Sequence, residues 1–130
     1  MAMHIWKIAL LVDDVKAAEK FYRETVGLPL IERLSLASMG IDDDAVFLDA
    51  GNVQLELIPR AAFAQAPERL QRAGVHHLSF RVEDVPARQT ELQSGGAEFI
   101  VDAFNPIPGM TLAFFDGTNG VNLQLFDWKR

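Results

Sequence analysis

A chain of 130 residues, 49% hydrophobic and 23% charged, has the apolar content of a packed globular fold and excludes a disordered one. Eighteen acidic residues against twelve basic ones give a formal net charge of -6, and no basic run exceeds the terminal Lys129-Arg130 pair, so nucleic acid is not an expected partner. With no cysteine, disulfides, thiolate nucleophiles and Cys-ligated metals are excluded. The apolar run at 8–12 is far short of the roughly 20 residues of a membrane span, so no membrane partner and a cytoplasmic location are expected.

In chain order, the first predicted strand ends at Val12 and is closed by Asp13-Asp14. Asp14 is placed to cap a helix over 15–25, on which Val15, Ala18, Tyr22 and Val26 share one face. Gly27 is a left-handed terminator for that helix. A second strand follows over 30–36, then a long segment over 37–44, then a hairpin whose turn is Ala50-Gly51-Asn52. The Ala-rich stretch from Arg60 to Gly74 joins this half to the next, with Pro67 ahead of a short helical turn at Glu68-Arg69-Leu70.

The second half repeats the first. KIALLVDDV, starting at Lys7, aligns without gaps on HLSFRVEDV, starting at His77, an offset of 70 positions. Phe47-Leu48-Asp49 and the strand after it align on Phe114-Phe115-Asp116 and its successor at an offset of 67 that becomes 68. The punctuation repeats too: Asp84 is the matching cap, Pro86 sits in the first helical turn, Gly95-Gly96 close the helix, and Gly117-Thr118-Asn119-Gly120 form the final turn. A second strand over 97–103 and a Pro-broken segment over 104–109 complete the copy. The reading is one domain over 1–130, with module 1 at about 1–60, a linker at about 61–74 and module 2 at about 75–130.

Alternation along strands sorts the side chains. Ile8, Leu10 and Val12 are expected against the helix, which turns Lys7, Ala9 and Leu11 to the open face; in the repeat, Leu78, Phe80 and Val82 take the helix side and His77, Ser79 and Arg81 the other. In the closing strands Val53, Leu55 and Leu57 match Val121, Leu123 and Leu125 as core, leaving Gln54, Glu56 and Ile58 with Asn122, Gln124 and Phe126 on the open face. Lys7 is equivalent to His77, and Glu56 to Gln124. A pseudo-twofold axis would bring these four polar residues together.

The stretches IALLVDDVKAAEKFYRETVGL, LELIPR, GVHHLSFRVEDV and AFFDGTNGVNLQLF resemble the vicinal oxygen chelate superfamily, which includes glyoxalase I, methylmalonyl-CoA epimerase, extradiol dioxygenases and bleomycin resistance proteins. The resemblance covers essentially the whole chain. It implies an α+β fold in which two tandem βαβββ modules form a curved mixed sheet around a cavity for a small-molecule ligand, and a homodimer. Metal-dependent members ligate a divalent cation from four positions, usually His or Gln, then Glu or Gln, then His, then Glu. Here those positions hold Lys7, Glu56, His77 and Gln124.

Lys7 departs from that pattern, because a lysine with an ordinary pKa of about 10.4 is a donor-only cation at neutral pH. Neither His76 nor His4 has the parity to replace it. Two states of the site follow: a degenerate metal site of Glu56, His77 and Gln124 holding Ni, Zn, Mn or Fe, or no metal, with the Lys7 ammonium in place of the ion's charge. The function implied is a glyoxalase-like lyase or isomerase that moves a proton next to an oxygen-bearing carbon. Glu56 and His77 are its candidate acid and base and Lys7 the third catalytic residue. Gln124, Arg81, Phe126 and Asn122 are the candidate substrate contacts, and Arg33 is a further candidate for an anionic group. The alternative is a binding protein that sequesters its ligand, as bleomycin resistance proteins do; the iron triad of the dioxygenases is not matched.

Overall fold

The computed structural model describes residues 3–130. The chain divides into two compact units, one of Lys7–His76 and one of His77–Arg130 with the described residues ahead of Lys7. The first unit runs β1 (Ile5–Val12), α1 (Val15–Lys20), β2 (Leu30–Ser35), β3 (Asp44–Asp49) and β4 (Gln54–Pro59). Its strands lie in the order β2-β3-β4-β1, an antiparallel meander to which β1 adds in parallel beside β4. This is a βαβββ module. A parallel neighbour requires a crossover, and α1 supplies it.

Asp14 caps α1, its Oδ1 accepting from the Ala17 amide at 3.0 Å. From Phe21 to Val26 the helix widens into π turns, and the Gly27 amide bonds the Tyr22 carbonyl five residues back before Gly27 closes the element at φ 92°. Val15 on α1 packs with the buried Val46, Leu48 and Leu57, flanked by Leu10, Val12, Ala18, Tyr22 and Leu55, as the sequence pattern predicts. Val26, expected on the same helix face, is instead 52% exposed at the end of the π turns, whose wider period departs from α-helical spacing. Each such side chain, fully buried, contributes about 1.5–3 kcal/mol.

The opposite face is not open. Ala9, Leu11 and Ile58 are buried there against Ala62 and Phe63, the latter in a helical turn over Arg60–Phe63 that folds back on the strands. The stretch expected as a linker is therefore part of the core. Its second turn, Glu68–Leu70, follows Pro67 as the sequence indicates and buries Leu70 fully.

The second unit repeats the path with β5 (Gly74–Arg81), α2 (Val85–Ser94), β6 (Phe99–Phe104), β7 (Met110–Asp116) and β8 (Asn122–Trp128), in the order β6-β7-β8-β5 with β8 parallel to β5. The Asp84 carboxylate caps α2 at Ala87, again at 3.0 Å. The core is Val82, Val85, Ala113, Phe115 and Leu125, with Phe80, Leu92 and Leu123 packed on it. Val121, expected in that core, is 43% exposed. It closes the preceding turn, its carbonyl accepting from the Gly117 amide at 2.7 Å, and β8 starts only after it. Gly109 is required sterically as well as by its φ of 80°: a Cβ there would lie 2.1 Å from the Lys129 carbonyl oxygen. Among the described residues no helix is long and apolar enough to cross a membrane.

Candidate functional site

Pairing across β1 and β4 sets Ala9 opposite Glu56, and pairing across β3 and β4 sets Phe47 opposite Glu56 from the other side. Lys7, two residues before Ala9, shares its face of β1. The Lys7 ammonium donates a hydrogen bond to Glu56 Oε1 and lies 5.4 Å from the centre of the Phe47 ring. Phe47 thus forms an aromatic wall for a buried ion pair.

The second unit builds the same arrangement with different chemistry. Ser79 stands opposite Gln124 on β8, and Phe114 of β7 flanks Gln124 from the other side. His77, two residues before Ser79, sets its ring edge-on to Phe114 at 5.1 Å. The Ser79 hydroxyl donates to Gln124 Oε1 at 2.7 Å. Four equivalences result: Lys7 with His77, Ala9 with Ser79, Phe47 with Phe114, Glu56 with Gln124. Lys7, His77 and Gln124 are each 2% exposed and Glu56 6%. Burial of this kind costs a charged or polar group several kcal/mol unless partners offset it.

The other sequence candidates occupy distinct places. Phe126 is buried with its ring 4.7 Å from that of Trp6. Arg81, exposed at the end of β5, stacks over Trp6 at 5.3 Å and lines a hollow of about 400 Å³ with His4, Asp84 and Arg88. Asn122 is half-buried at the start of β8 opposite Asp116. Arg33 is held by Glu19 on α1, its Nε donating to Glu19 Oε1 at 3.1 Å, and this hydrogen-bonded guanidinium lowers the Glu19 carboxyl below its ordinary value. His76 faces away from the site residues of its strand: its Nε2 meets the Leu70 carbonyl at 2.7 Å beside the Phe63 ring, and burial lowers its pKa.

Sequence reasoning missed Phe47, Phe114 and Ser79 as site residues. Both phenylalanines lie in the repeated hairpin, but a Phe in a strand reads as core. Ser79 has the right parity, yet its bond to Gln124 depends on a pairing across 45 positions.

The donor set does not fit a divalent ion. Among the described residues no three His, Cys, Asp or Glu side chains cluster as ligands would. The Glu56 carboxylate is occupied by an ammonium and the Gln124 carbonyl oxygen by a hydroxyl donor. The first position of the quartet offers only N–H groups.

A family model described as Glyoxalase/Bleomycin resistance protein/Dioxygenase superfamily matches residues 4–125. Among curated proteins the chain is 26% identical over 129 residues to YwbC of Bacillus subtilis, an uncharacterised protein, covering 97% of this chain and 98% of that one. It is 28% identical over 100 residues to the ethylmalonyl-CoA/methylmalonyl-CoA epimerase of Cereibacter sphaeroides, covering 72% and 71%. Among solved structures it shares the fold of a methylmalonyl-CoA epimerase in complex with methylmalonyl-CoA and NH4+, with a TM-score of 0.70, 22% identity and coverage of 97% and 94%.

Proposed function

The chain belongs to the glyoxalase/bleomycin resistance protein/dioxygenase superfamily, and on that premise we propose that it is an isomerase that epimerises an acyl thioester at the carbon next to its carbonyl. The observation that carries this reading is the pair of matching pockets of polarity described above, each walled by a Phe and each holding a residue able to exchange a proton. In the reaction a base removes the α-proton and the C–H electron pair moves into the carbonyl to give an enolate oxygen. Return of a proton to the other face inverts the centre.

Glu56 and His77 are the proton-exchanging residues in this proposal, since a carboxylate and an imidazole are side chains that take up and return a proton in general acid–base catalysis. Lys7 and the Gln124 amide are donors suited to the oxygen on which charge develops. With Gln124 Oε1 turned to Ser79, the amide nitrogen is the end left to donate. Asn122, Phe126 and Arg81 are the proposed substrate contacts. The epimerase relatives support the acyl-thioester class. One solved relative holds methylmalonyl-CoA together with NH4+, and this chain carries an ammonium of its own. A homodimer is the proposed assembly, with the exposed Phe21, Val26 and Val75 as apolar contact material.

Incubation in D2O with methylmalonyl-CoA and ethylmalonyl-CoA, followed by mass spectrometry, tests the reaction. One deuterium is expected to enter the α-carbon, and Glu56→Gln or His77→Gln is expected to slow its entry about 100-fold or more. No exchange above the buffer rate with either thioester, or exchange indifferent to both substitutions, defeats the assignment.

A further inference from the structure

We propose that Lys7 is the resident cation of this site: its ammonium holds the place beside Glu56 that a divalent ion would otherwise take, and the chain works without a metal. The inference rests on the proton-transfer reading above but is tested without substrate.

Three observations carry it. The Lys7–Glu56 pair is almost wholly buried, where desolvation of two charges cancels much of their attraction, so stability alone is a poor reason to keep it. The pair is local, set by neighbouring strands: Ala9 opposite Glu56 presents no donor, and the side chain that reaches the carboxylate is the one two residues earlier. Finally, the Phe47 ring beneath Nζ gives a positive charge, rather than merely a polar group, a favourable place to sit. A fixed ammonium can hold a carboxylate in position and present positive charge to a developing enolate oxygen, which is the electrostatic service a metal performs in such a reaction. Unlike a metal, it cannot be removed by a chelator.

The test is metal content. The purified protein is incubated with Ni2+, Zn2+, Co2+ or Mn2+, separated from free ion by gel filtration and assayed by elemental analysis, beside Glu56→Gln, Lys7→His and the double variant Lys7→His/Glu56→Gln. Wild type is expected to emerge with substoichiometric metal. Lys7→His, which restores a lone-pair donor next to Glu56, is expected to retain a stoichiometric ion, and the double variant to lose it. Stoichiometric metal on the wild type, lost on Glu56→Gln, overturns the proposal. So does a Lys7→His protein with a native circular-dichroism spectrum that takes up none. If Lys7→His does not fold, the wild-type measurement still decides. Failed turnover with a metal-free wild type would strike the proposed reaction alone, whereas a metal-bearing wild type that still exchanges deuterium would strike the Lys7 assignment alone.

Discussion

Glu56 in the first unit faces Ala9 across a parallel ladder, and Gln124 in the second faces Ser79 across the equivalent one. The backbone frames match, the aromatic walls match, and one oxygen atom separates the two facing side chains. Where the facing residue has a hydroxyl, it takes the carboxamide oxygen. Where it has only a methyl, the carboxylate turns to the ammonium two residues along. The difference teaches that the residue opposite the acid or amide, not the acid or amide alone, decides what each half can bind.

Removing the ammonium should break the comparison most sharply. Lys7→Met leaves a carboxylate buried without its partner and is expected to cost about 3–5 kcal/mol, read by urea denaturation, whereas Lys7→Met with Glu56→Leu should recover most of that loss. Ser79→Ala makes the second unit resemble the first without supplying a lysine. It is expected to cost about 1–3 kcal/mol, because the Gln124 oxygen loses its donor inside the protein.

The smallest effect concerns His76, one residue before His77 and on the other face of the strand. Burial lowers its pKa below the ordinary 6.5, so the unfolded chain binds the proton first as pH falls. The stabilising contribution of neutral His76 is therefore present above about 6.5 and is lost progressively below it. Unfolding free energies compared at neutral and mildly acidic pH should show this slope, and His76→Gln should flatten it.

Much of this was legible in the residues themselves. The repeat, the caps at Asp14 and Asp84, the positive φ at Gly27, Gly51 and Asn119, and the sorting of Leu10 and Val12 from Lys7 and Ala9 all follow from local chemistry. What alternation could not supply was depth. It assigned Lys7, Ala9 and Leu11 to one face correctly but called that face open, because nothing in the Arg60–Phe63 segment announces that it folds back over Ala9 and Leu11. The partner of Gln124 was hidden for a related reason, since the pairing of two parallel strands is fixed by a crossover and not by either strand alone. Val121 was misplaced because its apolar side chain outweighed its position as the residue that closes a turn.

The widened turns of the first helix answer to a difference in length that the second helix makes readable. Val15 and Val85 start their helices 70 positions apart, but the left-handed glycines that end them, Gly27 and Gly96, are only 69 apart, and the strand that follows each, Leu30–Ser35 and Phe99–Phe104, keeps that smaller spacing. One helix has a residue more than its twin between the same two landmarks. An α-helix absorbs a single added residue by opening to π hydrogen bonds, which is what Phe21–Val26 does. Phe21, left half in water where the wider turns begin, is the outward sign of that extra residue, and Gly27 still ends the element so that Leu30–Ser35 starts as close behind its glycine as Phe99–Phe104 does behind Gly96.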